Sequence, residues 1–239
     1  MAIESRSVVY EGPGGPFEGV VAWDAAVSGP RPGVLVAHTW MGQGEHEVQR
    51  AKEMAERGYV GFALDAYGKG KRGTNPEESG KLMMAVDADR KALQGRMTAA
   101  LETLRGFETV DAAKTAAIGF CFGGKCVLDL ARMGSDVLGV VSFHGVFDAP
   151  PHPNAETITA KVLVLHGWED PLAKPAQMVA LAEELTAGKA RWQIHAYGHT
   201  THAFTAKGLN DPEHGLAYQP DADRWSWQAA YRFLEELFG

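Results

Sequence analysis

The feature that most constrains this chain is an alternation of short, unbroken apolar runs with longer segments of helical period. Residues 33–37 read GVLVA, comparable runs occupy 59–64, 115–120, 137–143 and 162–165, and a further strand is expected at 190–197. A strand that is apolar at every position must be covered on both faces, which is the signature of a central strand in a parallel sheet. Between these runs lie helical segments at 45–57, 90–105, 125–133, 176–186 and 225–238. In the second of them Leu93, Met97, Leu101 and Leu104 recur at helical spacing before Gly106, and in the last Trp227, Ala230, Leu234 and Leu237 share a face. Strands that alternate with helices predict an α/β fold with a single, mostly parallel sheet and helices on both faces. The first thirty residues differ. Their stretches 7–10 and 19–25 alternate and predict an antiparallel hairpin at a sheet edge.

Composition narrows the reading further. A length of 239 residues suits one α/β domain spanning 1–239, since such folds reach ~250 residues undivided. Hydrophobic residues at 45% supply a core, and charged residues at 22% argue against a disordered chain. A net charge of −7 excludes the basic surface that nucleic-acid binding needs. The apolar runs, of which 138–141 is typical, fall far short of the ~20 residues that cross a bilayer. The first residues carry Glu4 and Arg6 and no long apolar stretch, so no signal peptide and no membrane partner are expected, and a cytoplasmic location follows. Cys121 and Cys126 are the two cysteines. They form neither a disulfide framework nor a zinc-ligand spacing. His38, His144 and His166 each follow a buried strand and are expected to line one crevice, but no HxH or HExxH spacing accompanies them. No metal and no cofactor are therefore expected.

In parallel sheets the working groups sit beyond the carboxyl ends of the strands. At one such end, Gly119-Phe120-Cys121-Phe122-Gly123 matches the G-x-S-x-G nucleophile elbow with cysteine in place of serine. The elbow forces its central residue into a strained turn, so the flanking positions must lack a Cβ. The turn lifts the sulfur clear of the sheet, and the N-terminus of the following helix favours a thiolate. Partners should follow in the order Asp, then His. Asp170 lies just after the run 162–165 and its His-Gly turn, and His202 lies in the loop after 190–197. Cys121 is then the nucleophile, His202 the proton carrier, and Asp170 the group that fixes the imidazole tautomer. His199 shares the loop of His202 and is expected to be a surface or supporting histidine. The oxyanion donors are expected from the backbone N–H of Phe122 and from the 38–42 loop, where Trp40 is the candidate. The glycine- and lysine-rich stretch 68–73 lacks the order of a phosphate loop and is expected to be a mobile surface loop near the site entrance.

Over nearly the whole chain these residues resemble the dienelactone hydrolase family, an α/β-hydrolase branch with a cysteine nucleophile. The resemblance rests on GFCFGG around Cys121, on HGWEDP with Asp170, and on His-Ala-Phe at His202. It implies the α/β-hydrolase fold, a Cys121–Asp170–His202 triad, an oxyanion hole at Trp40 and Phe122, and a small ester or lactone as substrate. The family pattern also places an activating Glu where Thr39 stands here, with Glu45 and Glu47 nearby. It places an arginine shortly after the catalytic histidine, where this chain has Ala203–Ala206 and then Lys207. A further family arginine precedes the long helix, for which Arg72 and Arg90 are the candidates. Together with His38 and His144, Thr39, Arg72, Arg90 and Lys207 make up the expected substrate-binding set. A monomer or homodimer is expected. Two alternatives to hydrolysis stand beside it: a non-catalytic or slow binding protein of the same fold, and an acyltransferase.

Overall fold

The computed structural model describes residues 1–239, which divide into two compact units, Met1–Ile118 and Gly119–Gly239. Eight strands form one sheet: β1 (Ile3–Tyr10), β2 (Phe17–Asp24), β3 (Arg31–Ala37), β4 (Val60–Ala63), β5 (Val110–Phe120), β6 (Gly139–Phe143), β7 (Lys161–Gly167) and β8 (Trp192–Tyr197). Their spatial order is β1-β2-β4-β3-β5-β6-β7-β8. The helices are α1 (Glu45–Glu56), α2 (Pro76–Asp87), α3 (Arg90–Arg105), α4 (Phe122–Arg132), α5 (Pro175–Ala187) and α6 (Pro220–Phe238). No helix is long and apolar enough to cross a membrane. The mostly parallel α/β sheet with intervening helices is the architecture the alternation predicted.

In the first unit β1 and β2 pair antiparallel, from Ile3 opposite Asp24 to Tyr10 opposite Phe17. This is the expected edge hairpin, several residues longer at its start than the alternating stretch. β2 continues antiparallel to β4, and β3 runs parallel to β4. Val34, Leu35, Val36 and Phe62 are fully buried, as are Leu93, Met97 and Leu104 of α3. Each such side chain contributes about 1.5–3 kcal/mol of hydrophobic transfer. Helix α2 was not anticipated, because its apolar pattern is weak. Its start is nonetheless written in the sequence: Asn75 Oδ1 accepts from the Glu78 N–H at 3.0 Å, and Pro76 occupies the first helical position.

In the second unit β6, β7 and β8 are parallel neighbours. Helix α4 starts at Phe122, three residues before its propensity becomes visible, since Gly123 and Gly124 fill its first turn. Helix α6 starts at Pro220 rather than at Trp225, with Gln219 as its cap: Gln219 Oε1 accepts from the Ala222 N–H at 2.7 Å. The ring of Trp227 in α6 lies tilted 4.6 Å from that of Phe143, which stacks 4.9 Å from that of Phe120. The last helix thus packs beneath the strand end that leads into the elbow. β9 (Asn210–Asp211) and β10 (Leu216–Ala217) form a small separate ribbon joined by a turn of 3₁₀ helix.

Candidate active site

The second unit holds Cys121, Asp170 and His202, and each is positioned by a distinct local device. Cys121 sits between the end of β5 and the start of α4 with φ 55° and ψ −114°. Such a φ is costly for a residue with a Cβ, and a surrounding structure that over-determines the turn is required to hold it. The determinants are visible. The Cys121 N–H donates to the Phe143 carbonyl at 3.1 Å, and the Cys121 carbonyl accepts from the Gly124 N–H at 3.0 Å. Gly119 allows the strand to pass the helix start: a Cβ there would lie 2.1 Å from the Gly123 carbonyl oxygen. Cys121 remains partly accessible, whereas Cys126 is buried in α4. Phe122 is the first residue of α4, in the turn whose N–H groups lack intrahelical acceptors by helix geometry.

Asp170 follows β7 through a tight turn and is 1% exposed. Its Oδ1 accepts from the Leu172 N–H at 2.8 Å, and its Oδ2 accepts from His202 Nδ1 at 2.7 Å. Gly167 makes this closeness possible, because a Cβ there would meet the Thr200 and Thr201 carbonyl oxygens at 2.4 and 2.6 Å. The Glu169 N–H also donates to the Thr200 carbonyl at 2.9 Å. The Asp170 turn and the His202 loop are therefore stitched together along their backbones.

His202 is clamped on its other side by the β10 segment. Its N–H donates to the Gly215 carbonyl at 3.0 Å, and its carbonyl accepts from the Ala217 N–H at 3.2 Å. Burial by itself pushes the imidazole's proton affinity down. The negative charge on Cys121 and the bond to Asp170 outweigh burial and raise its pKa to about 10. Cys121 is thus close enough to act on the ring electrostatically, while Nε2 makes no fully formed hydrogen bond. His199 is different: its side chain is exposed and reaches Glu169 at 3.2 Å, which leaves Asp170 to His202.

His144 is buried and donates to or accepts from Thr205 Oγ1 at 2.9 Å, with its ring edge-on to those of His202 and Phe204. It braces the histidine loop. His144, His199 and Ala203 all have positive φ, so backbone strain gathers around Asp170 and His202. Lys207 is exposed beyond that loop. No group of three or more His, Cys, Asp or Glu side chains is arranged to hold a metal ion.

In the first unit, both ring nitrogens of His38 are engaged, Nδ1 with the Thr39 carbonyl at 2.6 Å and Nε2 with the Ala66 N–H at 3.1 Å. It ties two loops together. Thr39 and Trp40 are half-buried in the loop after β3, where Tyr67 Oη donates to the Trp40 carbonyl at 2.8 Å. Glu47 is buried and brings its carboxylate to this loop, accepting from Thr39 N–H at 3.4 Å and Gly44 N–H at 2.9 Å. Burial raises its pKa. Glu45 is exposed. Arg72 is engaged internally, donating to Gln43 Oε1 at 2.7 Å and lying 3.4 Å from Asp65, while Lys69, Gly70 and Lys71 of the same stretch are exposed. Arg90 is buried and lies 3.6 Å from Asp87.

Arg132 has no counterpart among the sequence expectations. Arg132 is fully buried and joins α4 to α5 and to the loop after β6, donating to both oxygens of Glu184 at 2.7 and 2.9 Å, to Asp129 at 3.2 Å and to the Phe147 carbonyl at 2.8 Å. Its three-residue spacing from Asp129 was the available signal. His166 lies behind Asp170, and only its place at a strand end hinted at that. Hollows of about 230 and 310 Å³ open between β8 and α6, and none of Cys121, Asp170 and His202 lines them.

The comparisons with known proteins bear on the fold and the family. The model of the dienelactone hydrolase family matches residues 17–238. Two solved structures, m3DLH and a dienelactone hydrolase-like promiscuous phosphotriesterase, P91, from metagenomic libraries, are each 36% identical. Each superposes with a TM-score of 0.92 over 100% of both chains. The uncharacterized protein K02A2.1 of Caenorhabditis elegans is 34% identical over 163 residues, 65% of this chain and 99% of that one. A Yersinia pestis protein provisionally assigned as a carboxymethylenebutenolidase is 26% identical over 84% of this chain and 76% of its own length. A family match that runs from β2 into the last helix, on the fold such enzymes share, settles the kinship: this chain belongs to the dienelactone hydrolase family of α/β-hydrolase enzymes.

Proposed function

We propose that this protein hydrolyses small carboxylic esters or lactones through a Cys121–His202–Asp170 triad and an acyl-thioester intermediate. The observation that carries the reading is the buried 2.7 Å bond from His202 Nδ1 to Asp170, on a ring whose proton affinity the Cys121 charge raises. That pattern suits a thiolate–imidazolium pair, the state proposed to react. The thiolate attacks the acyl carbon, and a C–S bond forms. The oxyanion is received by the Phe122 N–H, with Trp40 N–H as the proposed second donor. His202 Nε2–H protonates the departing alkoxide, and the C–O bond breaks. Neutral His202 then takes a proton from water, the hydroxide adds to the thioester, and the acid leaves as the thiolate is restored. Asp170 keeps the proton on Nδ1, so that Nε2 is free to exchange. Oxyanion donors of this type are worth ~10²–10³ in rate.

Short p-nitrophenyl esters test the reading, with Cys121→Ala and His202→Ala measured beside the wild type. A transient acyl adduct on Cys121, seen by intact mass and cleared by water, is the expected result. Equal slow turnover by all three proteins refutes it. An adduct that never clears supports slow binding or acyl transfer instead. The likeness to a promiscuous phosphotriesterase at 36% identity motivates a p-nitrophenyl phosphotriester as a second substrate, with the same cysteine as nucleophile.

A further inference from the structure

His166 closes β7 and is wholly buried. Its Nε2 lies 2.7 Å from the Ala173 carbonyl. A carbonyl only accepts, so Nε2 carries a hydrogen. In the neutral ring Nδ1 then bears a bare lone pair. That nitrogen has no hydrogen-bond partner and lies 3.9 Å from Asp170 Oδ2, the same oxygen that accepts from His202 Nδ1 at 2.7 Å. Two acceptors thus face each other behind the triad, in a place water does not reach. The ring of Phe147, from the loop after β6, lies 4.6 Å away on another side. The charged groups that act on His166 are Asp170, which favours its protonation, and His202, which opposes it.

We infer that His166 is a positioning residue of the triad: neutral, it leaves Asp170 Oδ2 to His202, and protonated at Nδ1 it competes for that oxygen and uncouples His202. The inference rests on the triad reading above. Its chemistry is a proton gain alone. Nδ1–H forms, points at Oδ2, and turns a lone-pair repulsion into a charge-assisted bond. The new positive charge also weakens the hold of His202 on its own proton. Burial is the largest influence on His166 and keeps its pKa below the ordinary histidine value, so the ring is neutral at physiological pH and the competing state forms on acidification.

The test has two arms. In the first, the pH profile of kcat/KM for a p-nitrophenyl ester is measured for wild type and His166→Gln, each scaled to its own maximum, with circular dichroism confirming the fold at every pH. Gln retains an N–H for the Ala173 carbonyl and lacks a titrating nitrogen. The wild-type acid limb is expected to steepen towards about two protons, through coupled ionisations, and the variant limb to relax towards about one and move to lower pH. Superimposable acid limbs overturn the proposal. The second arm needs no turnover, and circular dichroism confirms that its one variant is folded. Nitrogen-15 shifts of the wild-type His166 ring are expected to show the Nε2–H tautomer and protonation below about 6.5, with that protonation weakened in Asp170→Asn. An Nδ1–H tautomer, or a titration indifferent to Asp170, overturns it. Absence of Cys121-dependent turnover in the wild type, by contrast, refutes the hydrolase reading and leaves the second arm standing.

Discussion

Replacing Gly119 by alanine should damage both folding and catalysis, and the structure sets the size of the effect. The added Cβ would lie 2.1 Å from the Gly123 carbonyl oxygen, 2.4 Å from its carbon and 2.9 Å from the Gly124 nitrogen. All three atoms are backbone, so no rotamer change relieves the clash. The first turn of α4 must retreat by roughly 1 Å, and overpacking of this kind costs about 1–3 kcal/mol. That same turn carries the Phe122 N–H and fixes the direction of Cys121, and a misplacement of about 1 Å costs on the order of 10²-fold in rate. Urea unfolding should show a lower midpoint at an unchanged slope, and kcat/KM for a p-nitrophenyl ester should fall by about two decades at temperatures where the variant is folded. Gly80→Ala is the control. Gly80 lies inside α2 with open space around its would-be Cβ, so the same substitution there should stabilise by about 0.5–1 kcal/mol. A Gly119→Ala protein with wild-type midpoint and wild-type kcat/KM would refute the steric reasoning.

Three further outcomes are expected. Asp170→Asn keeps the shape of the turn but places an N–H₂ or a single carbonyl against His202 Nδ1, so activity should drop by about 10⁴ with little loss of stability, read by ester hydrolysis and a thermal melt. Arg132→Met leaves Asp129 and the Glu184 carboxylate without their buried partner and should cost about 3–5 kcal/mol in urea unfolding; a loss below 1 kcal/mol, on the order of a surface pair, would contradict it. The His202 ring should titrate near pH 10 in wild type and at lower pH in Cys121→Ala, followed by its carbon-bound proton resonances. Because the folded-state value is raised above the unfolded one, this stabilisation is fully present below about pH 6.5 and is lost as the pH rises through about 10. A wild-type titration at or below the ordinary value would exclude the ion pair.

The alternation of apolar runs and amphipathic helices was enough to predict an α/β sheet, because central parallel strands have no polar face to hide. The elbow pentapeptide was equally legible: the turn at Cys121 tolerates no Cβ at Gly119, and that demand is written locally. Chain order then pointed to Asp170 and His202. Where an element's identity depends on its neighbours, the sequence was mute. Helix α2 has a cap but little apolar stripe, and α4 begins in two glycines, so local propensity underrates both. Only the tertiary structure decided which histidine meets Asp170, since His199 and His202 share a loop and differ in which side chain the β10 clamp turns inward. It alone brought His166 Nδ1 behind the Asp170 carboxylate and Glu47 onto the Thr39 loop. Those contacts join groups on separate segments, and their distances follow from how the segments pack, which no local pattern of residues encodes.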